Sequence, residues 1–265
     1  MDNEFKKNVI KEKINKGETV FGIYIGIPSP TLVEMAGYSG FDFVRIDISH
    51  MQADLLTIEN MIRAAELSGV CPMFRVNNDK DSIERILEAG AMGIVVPDIE
   101  SPSAARSAVD AAKFYPIGDR GVFSAARVSR YGCIGSDKYV KWTNEEILMG
   151  IQIETEKAAN RLGEILEEAS EGIDIILSGR GDLANSLGLP GQKNHPAVLE
   201  LEERIFKEAK SHGKSISVNL DPTAENFAKN VSYWKDKGAD IITLGHDLNL
   251  IRKNFEKVLK ISRES

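Results

Sequence analysis

The chain has 265 residues, 42% of them hydrophobic and 28% charged, which suits one large α/β barrel or two ordinary domains with a sizeable core. A net charge of -7 argues against a nucleic-acid partner, which wants clustered Lys and Arg, but leaves room for local basic sites that take small anions. The two cysteines form no CxxC pair, residues 1–16 lack an apolar signal core, and no segment nears the length of a membrane span, so a cytoplasmic protein with no membrane partner is expected.

In chain order, short apolar runs predict strands at 20–27, 43–47, 72–76, 93–97, 150–154, 173–178, 215–218 and 241–245. Amphipathic helices fill the intervals, as at 81–89, where Ile83, Ile86 and Leu87 share one face. Ser29-Pro30 and Ser101-Pro102 read as helix starts, and Gly90 and Gly238 as helix stops. A Gly-x-Asp triplet precedes three of the strands, at Gly40, Gly172 and Gly238, like a repeated supersecondary unit. Residues 115–144 break the rhythm with glycines and arginines, and are expected to form a long loop serving as a lid or subunit contact. About eight βα units in one domain predict a (β/α)8 TIM-type barrel, although a doubly wound open sheet alternates in the same way.

If the barrel is right, the C-terminal strand ends converge on one mouth. That mouth would collect Asp47 and His50 from strand two, Arg75 from strand three, Gln152 and Glu154 from strand five, and the Gly179–Asp182 turn after strand six. Glu154 and Asp182 stand one strand–helix–strand repeat apart and form a hard-oxygen pair suited to Mg²⁺ or Mn²⁺. Each taken alone reads equally well as a helix cap. Gly179 and Gly181 permit close backbone approach, and a short helix starting near Asp182 would offer free N–H groups to an anion. The Arg180-Gly181-Asp182 tripeptide is taken as a chance match to an adhesion signal. His50, beside Asp47, is the candidate general base, with His246 in reserve. Arg75 ends an apolar strand and needs either a fixed carboxylate or a developing oxyanion. Arg120, Arg127 and Arg130 read equally as holders of a substrate carboxylate or as salt-bridge formers.

At these residues the sequence resembles the HpcH/HpaI aldolases, relatives of 2-keto-3-deoxy sugar-acid aldolases and macrophomate synthase. The resemblance runs over nearly the whole chain. It covers Pro28-Ser29, GFDFVRID, the VVP strand, Arg120-Gly121 to Ser124-Ala125, IQIET, and the Gly179–Leu183 turn. It implies that Glu154 and Asp182 bind a divalent metal, Mg²⁺ or Mn²⁺ with Co²⁺ as a further candidate. Arg75 would steady the enolate oxygen and His50, with Asp47, would serve proton transfer. Gln152, Ser124 and the amides of Gly181 and Asp182 would contact pyruvate or a related 2-oxo acid, with an aldehyde as co-substrate. A homo-oligomer is implied too, with the last helix packed on a neighbour. Two departures stand out. The usual Asp-x-Glu-His is Asp47-Ile48-Ser49-His50, and the usual Gly-Pro-x-Asp is Gly179-Arg180-Gly181-Asp182. The first removes a carboxylate beside the base, for which Glu88 is the candidate substitute. The second suggests a taste for an extra anionic group. Oxaloacetate decarboxylation through the same enolate, and a non-catalytic 2-oxo acid-binding barrel, are the competing expectations.

Overall fold

A computed structural model describes residues 5–264. Eight parallel strands close into a barrel in chain order. They are β1 (Val20–Ile25), β2 (Phe43–Asp47), β3 (Cys71–Arg75), β4 (Gly93–Val96), β5 (Leu148–Ile153), β6 (Ile175–Ser178), β7 (Ser215–Leu220) and β8 (Ile241–His246). β1 pairs with both β2 and β8, which excludes the open sheet. The expected strand positions hold. β5 begins two residues earlier than its apolar pattern suggests, and β6 begins two later, because a 3-10 turn at Ser170–Gly172 leads into it.

Every residue of β2, β3 and β4 is buried, as strands covered on both faces must be. Alternation sends them to two cores. Phe43, Met73, Val95, Leu148, Leu177 and Ile241 fill the lumen, with Ile10 packed among them, while Val44, Ile46, Phe74 and Ile94 join the helix-covered outer layer. On β2 the same alternation points Arg45 and Asp47 inward above Phe43.

The Gly-x-Asp triplets have a common structural job. Asp42, Asp174 and Asp240 each accept the amide of the second residue of a neighbouring strand: Phe21 N at 2.8 Å, Met149 N at 2.8 Å and Ile216 N at 2.9 Å. The repeat therefore ties strand starts together at the end remote from the site. Ser29 and Ser101 cap their helices as expected, accepting from Leu32 N and Ala104 N. Gly90 and Gly238 take the positive φ of helix stops.

The 115–144 stretch is not one loop. Its last third lies in the Ser136–Glu146 helix, preceded by a 3-10 turn at Arg127–Ser129. The glycines and charges hid a helix whose buried face is short, only Tyr139, Trp142 and Thr143. The final helix, Asp247–Glu264, leaves Phe255, Val258, Leu259 and Ile261 exposed. No helix among the described residues is long and apolar enough to cross a membrane.

Candidate active site at the barrel mouth

Asp47, the last residue of β2, is buried and is the hub of a polar network. Its Oδ1 accepts the backbone N–H groups of Ser49 (2.9 Å) and His50 (3.2 Å). Its Oδ2 accepts the Tyr24 hydroxyl at 2.8 Å and lies 2.7 Å from His50 Nδ1. Burial acts to raise the Asp47 carboxyl, but the hydrogen bonds from His50 and Tyr24 and the nearby Arg75 charge outweigh it, so the group titrates below its ordinary value. Burial and the Asp47 charge push the Tyr24 phenol up. Tyr24 therefore stays a neutral donor. The His50 side chain is 66% exposed, so its ring reaches solvent at the mouth while Asp47 anchors it from below.

Arg75 joins this network to a second one. Its Nη1 is 2.7 Å from His50 Nδ1 and 3.7 Å from Asp47 Oδ2, and its Nη2 is 3.7 Å from Glu154 Oε1. His50 Nδ1 thus faces both a guanidinium and a carboxylate. When Nδ1 carries the proton it donates to Asp47, and when it does not it accepts from Arg75.

Glu154 follows β5 and is buried. Its Oε2 accepts Gln152 Nε2 at 2.8 Å and its Oε1 accepts the Asp98 amide at 3.2 Å. Asp98 reaches that amide position with a φ of 56°, a left-handed conformation uncommon outside glycine. Asp182 comes from the first turn of the Arg180–Ser186 helix, directly after β6. Burial first, then the hydrogen-bonding contact and charge of Asp182, push the Glu154 carboxyl up to about 7. Two carboxylates held together, one buried and one exposed, form an acidic pair that a hard divalent cation would satisfy. Among the described residues there is no cluster of three or more His, Cys, Asp and Glu fit for a metal. A cation held there would have Glu154 and Asp182 as its protein ligands, with other positions left to water or substrate. Gly179 packs closely here: a Cβ on it would lie 2.7 Å from both Gln152 Nε2 and Glu154 Oε2, so one of those side chains would have to shift. A Cβ on Gly181 would meet nothing within 4 Å.

The structure brings Asp47, His50, Arg75, Gln152, Glu154 and Asp182 to one mouth. It does not bring Ser124 there. That residue is exposed in the 113–135 connection, and its carbonyl accepts from Ser129 Oγ at 2.6 Å. The loop continues through Arg127, Arg130 and Tyr131, which line a cavity of about 490 Å³ near Val70–Pro72 and Met92 at the opposite end of the barrel. Arg120 and Arg127 are also engaged elsewhere: Arg120 with Tyr139 and the Phe114 ring, Arg127 with Glu66 and the Ala89 carbonyl.

Two other expectations are corrected. Glu88 does not partner His50. It lies in the field of Arg120, Glu84 and Arg85, while Asp47 itself supplies the carboxylate that Ser49 does not. Arg180 does not face the mouth as a free cation. It is paired with buried Glu202 (Nε to Oε2, 2.7 Å) and lies over the Trp234 ring. His246, the reserve candidate, stacks its ring on Tyr24 at 4.8 Å and holds its Nδ1 2.9 Å from Asp247. Tyr24 and Arg45 lie inside β1 and β2, where a polar residue carries no strand-end signal. Counting by twos back from Asp47, and along β1 from Gly22, finds both.

The chain matches the family model described as HpcH/HpaI aldolase/citrate lyase over residues 20–253. It is 32% identical over 254 residues to a pyruvate aldolase of Rhizobium etli, covering 96% of each chain. It is 30% identical over 250 residues to a 2-keto-3-deoxy-L-rhamnonate aldolase of Escherichia coli, covering 94% of this chain and 90% of that one. The solved HpcH/HpaI aldolase of Desulfitobacterium hafniense DCB-2 superposes with a TM-score of 0.89 at 27% identity, over 96% of both chains.

Proposed function

The chain belongs to the HpcH/HpaI aldolase/citrate lyase family, and from that premise we propose that it is a divalent-metal-dependent aldolase. It would make and break 4-hydroxy-2-oxo acids through the enolate of pyruvate. The observation that carries this reading is the Glu154–Asp182 carboxylate pair, set beside Arg75 and the Asp47–His50 pair in one mouth.

Glu154 and Asp182 would hold the metal, Mg²⁺, Mn²⁺ or Co²⁺, which when bound acts as a Lewis acid toward the keto and carboxylate oxygens of the 2-oxo acid. Gln152 fixes Glu154 through their 2.8 Å hydrogen bond and borders the pyruvate position. The backbone amides of Gly181 and Asp182 are offered to the substrate carboxylate. Arg75 donates to the oxygen that becomes negative when the C3 proton leaves, and its charge is strongest in effect where water is excluded. His50, oriented by Asp47, carries the proton. In cleavage it takes the C4 hydroxyl proton, the C3–C4 bond breaks, and the electron pair passes to the enolate, which is then protonated at C3. In the addition direction each transfer reverses. No strand end at the mouth presents a lysine for a Schiff base.

Decarboxylation of oxaloacetate would use the same enolate and the same residues. The non-catalytic reading rested on Ser49 and Arg180. Asp47 serving His50 and Glu202 neutralising Arg180 weaken both grounds. The exposed Phe255, Val258, Leu259 and Ile261 on the last helix support a homo-oligomer in which that face packs on a second copy. The test is metal-dependent exchange of the pyruvate methyl protons. Exchange in wild type and its loss in Glu154→Gln is the expected result, and full exchange after complete metal removal would reject the reading.

A further inference from the structure

Arg45 is the most conspicuous group that the chemistry above leaves unused. It sits one inward position below Asp47 on β2, is 2% exposed, and reaches across the lumen to β7. There Nη2 donates to Ser217 Oγ at 2.9 Å and Nη1 to Asn219 Oδ1 at 3.2 Å, while the Phe43 ring centroid lies 5.8 Å from the guanidinium carbon. All three partners are neutral. No carboxylate among the described residues forms an ion pair with it, and both oxygens of Asp47 are already engaged by Tyr24, Ser49 and His50. Burial pushes the guanidinium down only to about 10, so it remains a cation at neutral pH.

A buried cation without an anion is an incomplete arrangement. Two donors are unmet, one of them on the guanidinium itself. Arg45 Nε and the Thr243 hydroxyl are both buried and without a hydrogen-bond partner. Thr243 is the register neighbour of Asn219, so the two side chains share the inward face. Asn219 is exposed, standing between solvent at the mouth and the guanidinium behind it.

The arrangement has a direction. On the reading above, which this inference presupposes, the 2-oxo acid is held by groups on β3, β5 and β6. The half of the mouth formed by β7, β8, β1 and β2 is left for the second reactant. We propose that Arg45, Asn219 and Thr243 form a subsite for a carboxylate carried by that electrophile, so that the enzyme prefers acidic aldehydes over neutral ones of equal size. Arg180, the charged departure in the sequence motif, cannot supply this preference because Glu202 neutralises it. Arg45 supplies it instead.

The test compares glyoxylate with glycolaldehyde as acceptors for pyruvate, in wild type, Asn219→Asp and Arg45→Met. Asn219→Asp is nearly isosteric at an exposed position and places a carboxylate on the guanidinium from within the protein. The ratio of kcat/KM for glyoxylate over glycolaldehyde should fall about 10- to 100-fold in both variants, the size of a lost hydrogen bond to a charged group. The change should lie mainly in the KM for glyoxylate. An unchanged ratio in Asn219→Asp, with turnover preserved, overturns the subsite and leaves the aldolase reading standing. Absence of turnover in wild type contradicts the aldolase reading instead. Calorimetric titration of glyoxylate into chelator-treated protein then decides the subsite: wild-type binding weakened in Asn219→Asp supports it, and equal binding or none rejects it.

Discussion

Gly179 and Glu154 are fitted to one another: a methyl group at position 179 would fall 2.7 Å from Glu154 Oε2, inside any real carbon–oxygen contact. The backbone after β6 thus passes against the carboxylate that closes β5, and Gln152 Nε2 lies at the same distance from that point. Gly179→Ala should displace Glu154 or Gln152 and weaken divalent-metal binding at least tenfold, with the fold retained by circular dichroism. Gly181→Ala, two residues on and with nothing within 4 Å of its Cβ, should leave metal affinity within about twofold. Calorimetric Mn²⁺ titration of both variants checks the contrast.

Removing either carboxylate should be more severe. Glu154→Gln or Asp182→Asn deletes one of two protein ligands, and enolisation should fall by roughly 100-fold or more. The same substitutions relieve crowding between two acids, so the metal-free proteins should melt no lower than wild type. Parallel thermal scans with and without Mn²⁺ read both effects.

The Glu154 carboxyl, raised to about 7 in the metal-free protein, gives a signed pH dependence. A cation must displace that proton, so metal affinity should climb by up to about tenfold per pH unit toward 7 and level off above it. For stability the sign is opposite. Between the ordinary glutamate value and 7, the native state holds a proton that the unfolded state has released, so this group's contribution falls as pH rises through that window. Glu154→Gln should remove both slopes, as titrations and denaturant melts across pH 5 to 8.5 would reveal.

Tyr24→Phe takes one donor from Asp47 Oδ2 and leaves the His246 stacking surface in place. Loss of a hydrogen bond to a charged acceptor is worth about 1.5–3 kcal/mol, so kcat should drop roughly tenfold or more. The acid limb of the rate profile should move to higher pH, because the Tyr24 bond helps to hold the Asp47 carboxyl down. A pH–rate profile of the variant measures both.

Charge on the last helix tests assembly. Phe255 is 71% exposed and Leu259 50%, on the outer face of the last helix. Phe255→Glu with Leu259→Glu should lower the oligomer mass in sedimentation experiments while the barrel stays folded. An unchanged mass would show that this face is not the contact.

The barrel was legible in the sequence because buried parallel strands read as short apolar runs at regular spacing, and because strand ends concentrate polar residues. That logic collected Asp47, Arg75, Gln152, Glu154 and Asp182 in advance. It was blind to Arg45 and Tyr24, which lie inside strands where polarity looks like surface until the inward face is counted. It also misjudged Arg180 and Glu88. Glu202, which pairs with Arg180, and Arg120, whose charge acts on Glu88, lie 22 and 32 residues away, and only the fold brings them into range. Ser124 sits in an irregular connection whose course no periodicity predicts.

The central claim is tested most directly by NMR of pyruvate incubated with the protein in D₂O, with Mg²⁺ or Mn²⁺ and then with excess chelator. The account predicts deuterium entering the methyl group only with metal present, and not at all in Glu154→Gln. Absence of exchange in demonstrably metal-loaded wild-type protein, or exchange undiminished by the chelator, would contradict it.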